Sequence, residues 1–262
     1  MRLTDPARFW ENPESGGWLQ PGFGGMDLIA LNNRRESRGW ETAVNEYPIT
    51  GRNRVRQIRD YARYDARAVH EILDAGYVGH VGFVQEGQPY VIPMLYAREG
   101  EVLYLHGAKK ARVVKLLGSG APVCVNVMLL DGIVAARSAF NSSMNYRSVV
   151  VFGTGQLLQD DTQVLHALEV VSEHVFPGRW QELRAPLERE IAITGVISVA
   201  IESASAKIAA DPPEDEEADY ATRVWAGVVP IVTRLGEPQA DDRVLDGVSM
   251  SPAIGALEGK RI

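Results

Sequence analysis

The chain has 262 residues, 45% of them hydrophobic, with a formal net charge of -7 and a pI near 5.3. That length suffices for one sizeable core with an ordered arm, and an acidic surface argues against a general nucleic-acid binder. Cys124 is the sole cysteine, which excludes an intramolecular disulfide; no apolar run approaches the roughly 20 residues that span a bilayer, and Met1–Trp18 lacks the apolar stretch of a secretory signal. A cytoplasmic protein with neither membrane nor nucleic-acid partner is expected.

Residues 1–50 hold no sustained periodicity, are rich in glycine around Gly16–Gly25, and carry Trp10, Trp18 and Trp40. They read as an irregular arm. Regular structure is expected from Asp65, a good N-cap, with Val69, Ile72 and Leu73 on one helical face and Gly76 as a left-handed C-cap. A meander follows: Tyr77–Val84, a turn at Gly87-Gln88, a return through Tyr90–Ala97, a turn at Glu99-Gly100, then Val102–His106. Lys109–Leu117 reads as a short helix, Pro122–Leu129 as an apolar strand, Asp131-Gly132 as a turn and Ile133–Ala136 as a further strand. Val149–Leu158 is a strand in which Gly153 and Gly155 mark bends. Asp161 caps a helix whose apolar face is Val164, Leu165, Leu168 and Val171. Mixed structure over Trp180–Ile191 precedes strands at Val196–Ile201 and Val224–Val232. About eight strands with interspersed helices predict a mainly β, α+β fold: an antiparallel Greek-key split β-barrel flanked by helices over residues 51–235, with a tail at 236–262.

Two stretches carry chemistry. On a strand Val102, Tyr104 and His106 share one face; Gly107 then permits a close turn, and Lys109, Lys110 and Arg112 crowd a helix start. Positive charge there opposes the helix dipole unless an anion is bound, although a solvated lysine face explains the same residues. Asn141–Ser148 offers hydroxyl, amide and guanidinium donors suited to a ring edge or a phosphate, or simply a loop bonded to its own backbone. The acidic run Asp211–Asp219 reads as a solvated loop. Cys124 sits in an apolar strand as a small core residue, the five histidines are too dispersed for a zinc set, and Gly153-Thr154-Gly155 lacks the context of a dinucleotide fingerprint.

Taken in order, Gln88–Pro93, Leu103–Ala108 with Arg112, Asp131-Gly132, Ser143–Ser148, Pro177–Trp180, Ala204–Lys207 and Val224–Pro230 resemble the pyridoxamine 5′-phosphate oxidase-related flavin-binding split barrels, nearest the nitroimidazole-resistance branch. The resemblance implies a homodimer with two FMN sites at its interface and a small-molecule substrate. It places Pro93 and Met94 against the flavin, His106 and Gly107 at the ring and ribityl chain with His106 as proton donor, and Lys110 and Arg112 at the phosphate. Asn145, Arg147, Ser148, Lys207 and Trp225 complete the pocket.

Three positions depart from the family pattern. Ala111 stands where serine is usual, Ser142 where histidine is usual, and Ala209 where arginine is usual. Each removes a polar group near the expected ligand, and a charge-assisted bond contributes roughly 1.5–3 kcal/mol. The implied activity is FMN-dependent oxidoreduction of a small organic molecule, a nitro compound among the options. The alternatives are deazaflavin use, a haem protein with His106 as axial ligand, and a non-enzymatic ligand-binding dimer whose flavin site has decayed.

Overall fold

The structure is a computed structural model describing residues 45–262; the expected N-terminal arm, with its three tryptophans, falls almost wholly outside the described residues. The elements are β1 (Ala62–Arg63), α1 (Ala66–Ala75), β2 (Val78–Gln85), β3 (Gln88–Glu99), β4 (Val102–Ala108), α2 (Arg112–Gly118), β5 (Pro122–Ala135), β6 (Ser143–Leu157), α3 (Asp161–Val175), α4 (Glu188–Ile193), β7 (Thr194–Ala200), β8 (Ser203–Ala209), β9 (Gly227–Pro230) and α5 (Pro252–Gly255).

Pairing closes a ring. β2 bonds to β3 and β5, β5 to β6, β6 to β7, β7 to β4 and β4 to β3, every pair antiparallel. The β4–β7 pairing is the Greek-key crossover. β8 extends from β6 and β1 from β8, while β9 extends from β5. β5 and β6 thus each serve the ring and a flanking wing, which is the split barrel expected from the sequence. The interior is filled by alternate residues, among them Val81, Leu103, Leu105, Val125, Val127, Val149, Val151, Ile197 and Val199, all essentially inaccessible. No helix among the described residues is long and apolar enough to cross a membrane.

Several local expectations are corrected. Asp65 does cap α1, its carboxylate accepting from the Ala68 N–H at 2.8 Å, but Gly76 is not left-handed, with φ of -91°. Its lack of a side chain serves packing, since a Cβ there would lie 2.6 Å from Val127 Cγ1. Asp131-Gly132 is a register shift within a continuous β5 and not a turn; Arg147 holds the Asp131 carboxylate through bonds of 2.9 and 2.8 Å. α2 starts at Arg112, because Ala111 is extended and leaves Lys109 and Lys110 in the preceding turn. Asp160, one residue before the expected cap, caps α3. The acidic run is a largely exposed loop as expected, except that Asp215 is turned in, accepting from the Arg137 backbone N–H and guanidinium.

Where β6 leaves β8 to join β7, a Cβ on Gly153 would drive into the Ala200 carbonyl oxygen, against backbone that has nowhere to yield. Gly153→Ala is therefore expected to destabilise by at least the roughly 1–3 kcal/mol typical of overpacking, read as a lower urea midpoint with unchanged slope.

Candidate functional site

Alternation along β4 sends Leu103 and Leu105 into the barrel and Tyr104 and His106 to the outside. On that side α3 and α4 cover the sheet, packing Val164 and Ala167 onto Val196, the cross-strand partner of His106. The layer is not filled completely. A cavity of about 340 Å³ remains, floored by Leu95, His106 and Thr194, walled by Leu168, Val171, Ser172, Val175 and Ile191, and roofed by Phe176, Trp180 and Pro186.

His106 is the polar anomaly of this cavity. Its Nδ1 is buried with no hydrogen-bond partner among the described residues, and burial holds its pKa below the usual 6.5, so the ring is neutral at pH 7. An unsatisfied buried polar atom costs about 1–3 kcal/mol, a cost that a bound group can remove. A neutral imidazole facing apolar walls is the form that ligates metals. Glu190 also reaches the cavity but is already engaged, taking Arg184 at 2.9 and 2.5 Å and the Leu187 N–H at 2.9 Å. The Arg184 guanidinium and that N–H hold its carboxyl down at about 2.

The second candidate region is the outer face of β3, β2, β5 and β6, which no described helix covers. Cross-strand register places Pro93, His80, Asn126, Val150 and Ser205 in one row, and Met128, Ser148 and Lys207 in the next. Val84, Val91, Met128, Leu130, Ile133 and Met144 share this face and are exposed. Trp225, 68% exposed, lies just before β9 with its ring against Gly227. At one end of the face Asn145 donates to the Asp211 carbonyl at 3.1 Å, and Arg147 pairs with Asp131. Beyond the other end Arg112 lays its guanidinium 4.1 Å from the Tyr90 ring centroid, and Tyr90 stacks on Phe83; Lys110 is exposed in the turn before α2.

The residues singled out in the sequence therefore divide. Pro93, Ser148 and Lys207 share the bare face, with Asn145, Arg147, Trp225, Lys110 and Arg112 around it. Met94, opposite Gly79, has the inward parity of its strand. Gly107 turns inward, where a Cβ would lie 3.2 Å from Val114 Cγ2, so it and His106 address opposite sides of the sheet. Sequence reasoning missed His80, opposite Pro93 in the β2–β3 pairing, and Asn126, brought alongside by the β2–β5 pairing. It also missed the cavity residues on α3 and the roof, whose one signal was the Pro177–Trp180 stretch.

A closed antiparallel ring with two wings and helices on one side defines a split β-barrel protein. A family model described as pyridoxamine 5′-phosphate oxidase matches residues 65–208, more than half of the chain, which belongs to that family. Among solved structures it is similar to the flavocytochrome Anf3 from Azotobacter vinelandii, with 39% identity and a TM-score of 0.77 over 81% of this chain and 99% of that one. It is also similar to the FAD and heme binding protein from Mycobacterium smegmatis, with 33% identity and a TM-score of 0.74 over 76% and 98% of the two chains. No curated protein matches the chain.

The depressed His106 pKa has a thermodynamic consequence. Above 6.5 neither the folded nor the unfolded chain protonates this ring; below it the unfolded chain takes up a proton that the folded chain resists. Stability is thus present above 6.5 and falls as pH drops towards the folded pKa. His106→Leu is expected to lose less melting temperature than wild type between about pH 7.5 and 5, measured on ligand-free protein.

Proposed function

We propose that this chain is a redox protein that uses a flavin on the bare face of the barrel and a haem in the cavity beneath α3. The observation that carries the reading is His106: a half-buried, neutral imidazole on the floor of a largely apolar cavity. That donor fits haem iron, and the aliphatic and aromatic walls fit the macrocycle. The names of the two relatives, one a flavocytochrome and one an FAD and haem binder, support the same pairing. Of the two roles the sequence offered His106, proton donor at a flavin and ligand to a haem iron, this reading takes the second.

On the flavin side Pro93 and Ser148 would border the ring system with Trp225, Asn145 and Arg147 around them, Met94 being turned to the other side of its strand, and Lys110, Arg112 and Lys207 supply positive charge for phosphate. FMN is the sequence expectation, and FAD is the flavin named for the mycobacterial relative; both bring the same ring and at least one phosphate. When bound, a flavin exchanges electrons in pairs or singly and a haem exchanges them singly. The chain's part is to exclude water from His106, to keep that ring unprotonated and to fix the flavin by its charged end. The exposed valines and methionines of the bare face support a homodimer closed over the flavin. A standard interface buries about 1,600 Å² in total.

Purified protein is expected to show both flavin and haem bands, and the mass of the released nucleotide distinguishes FMN from FAD. His106→Ala should weaken haem binding by about tenfold or more while leaving flavin bands intact, whereas Arg112→Glu with Lys110→Glu should do the reverse. A His106→Ala protein that binds haem like wild type would overturn the assignment of His106 as its ligand. Sedimentation at micromolar concentration is expected to give a dimer, and a monomer with flavin bound would remove the interface reading.

A further inference from the structure

All five histidines of the chain lie among the described residues, and three of them are tied down. His70 sits 3.0 Å from the Glu101 carboxylate and 3.1 Å from the Tyr47 hydroxyl, His166 sits 2.8 Å from Glu99, and His174 donates to Gly76 O at 2.8 Å. The two left over are His106, whose Nδ1 has no partner, and His80, which has no hydrogen bond or ion pair among the described residues. One stands in each candidate site. His80 is exposed in the middle of the bare face, flanked across the ladder by Pro93 and Asn126. Asn126 has committed its amide N–H to Val149 O at 3.1 Å and Pro93 has no donor, so the imidazole carries the free donor at this point of the sheet.

Two residues further along β2, on the same face, is Gly82, which the register sets between Val91 and Cys124. The other glycines in the described strands, from Gly79 to Gly227, are demanded by packing, since a Cβ on any of them would lie 3.2 Å or less from a neighbouring atom. Gly82 differs. A Cβ there would meet nothing closer than the Cys124 carbonyl oxygen at 3.5 Å, an ordinary contact, and its φ is not positive. Glycine weakens a strand interior, and where neither packing nor backbone conformation calls for it, it marks a surface that another group approaches closely. The gap so left lies beside His80, with Val91, 66% exposed, on its rim.

We propose that Gly82 and His80 form the seat of the flavin ring: the ring rests over the gap at Gly82, and His80 donates a hydrogen bond to an acceptor on its polar edge. This rests on the flavin reading above and adds the point of contact. A flush floor with one imidazole donor at its side suits a flat heterocycle whose rim carries carbonyl and ring-nitrogen acceptors. A phosphate or a sugar chain by itself has no use for the flat floor. The cations Lys110 and Arg112 then hold the phosphate end, and His80 with Gly82 fixes where the ring lies on the sheet.

Riboflavin, which has the ring without the phosphate, separates the seat from the cationic end. Riboflavin and FMN are titrated into the full chain freed of flavin, and binding is followed by flavin fluorescence. His80→Ala is expected to weaken both about tenfold, the effect of one hydrogen bond, and His80→Gln, which keeps a donor, to recover most of the loss. Gly82→Val fills the gap and is expected to weaken both at least about tenfold, while the melting temperature of the free protein holds or rises because valine suits a strand. Gly82→Ala, with a smaller loss in the same direction, carries the test if the valine variant does not fold. FMN should also protect His80 from diethylpyrocarbonate and leave His166 reactive. Lys110→Glu with Arg112→Glu should lose FMN and keep riboflavin. If His80→Ala and the Gly82 variants bind both flavins like wild type while the charge reversal still loses FMN, the seat is overturned and the flavin stays on this face. If the charge reversal also leaves FMN affinity unchanged, the flavin reading itself falls and the seat falls with it.

Discussion

Ring closure is the constraint on which the rest depends. Because β5 and β6 each pair on both sides, every barrel strand has one face committed to the interior and one to the outside. The outer surface then divides by what the connections lay over it. The long crossover from β6 to β7 contains α3 and α4 and covers β3, β4 and β7, while the meander and the hairpin-like β5–β6 ribbon leave β2, β5 and β6 bare. One barrel therefore presents a roofed apolar layer and an open apolar sheet. These are surfaces of different chemistry, and a one-residue slip of β4 would exchange His106 with Gly107 and abolish the first.

What was legible in the sequence follows from whether the cause was local. The Asp65 cap, the alternation of β4 and the apolar stripe of α3 are set by neighbours within a few residues, and each was readable. Tyr104 and His106 were correctly put on one face. Which way that face looks depends on α3 docking more than fifty residues later, and nothing local encodes that. The Asp131-Gly132 pair shows the reverse problem. Its turn chemistry is real as a local preference, yet Arg147 on the neighbouring strand captures the aspartate and the chain runs on as a bulged strand. Gly76 was a sound helix-stop signal with the wrong reason attached, since the crowding comes from Val127 across the core.

The three small residues that break the family pattern also look different in place. Ala111 is the extended residue that delays α2, so Lys110 stays in a turn instead of entering the helix. Ser142 spends its hydroxyl locally, donating to Ser138 O at 2.8 Å and accepting from the Ala136 N–H at 3.2 Å. Ala209 is buried opposite Tyr146 in the β6–β8 ladder, where an arginine would need room that the packed strand pair does not offer. All three thus have roles in the fold, independent of any ligand.

A half-buried histidine whose Nδ1 has no partner among the described residues opposes folding, and the sequence around it offers ready remedies that are not used. Ser172 and Thr194 line the same cavity, but the Thr194 hydroxyl donates instead to the Glu190 carbonyl at 2.8 Å. Glu190, the one carboxylate there, is neutralised by Arg184 and turned to the Leu187 N–H. Had Glu190 faced His106, the ring would hold a proton and lose its free electron pair. The arrangement keeps the acid occupied and leaves the imidazole unprotonated, which costs stability in the free chain as pH falls below 6.5.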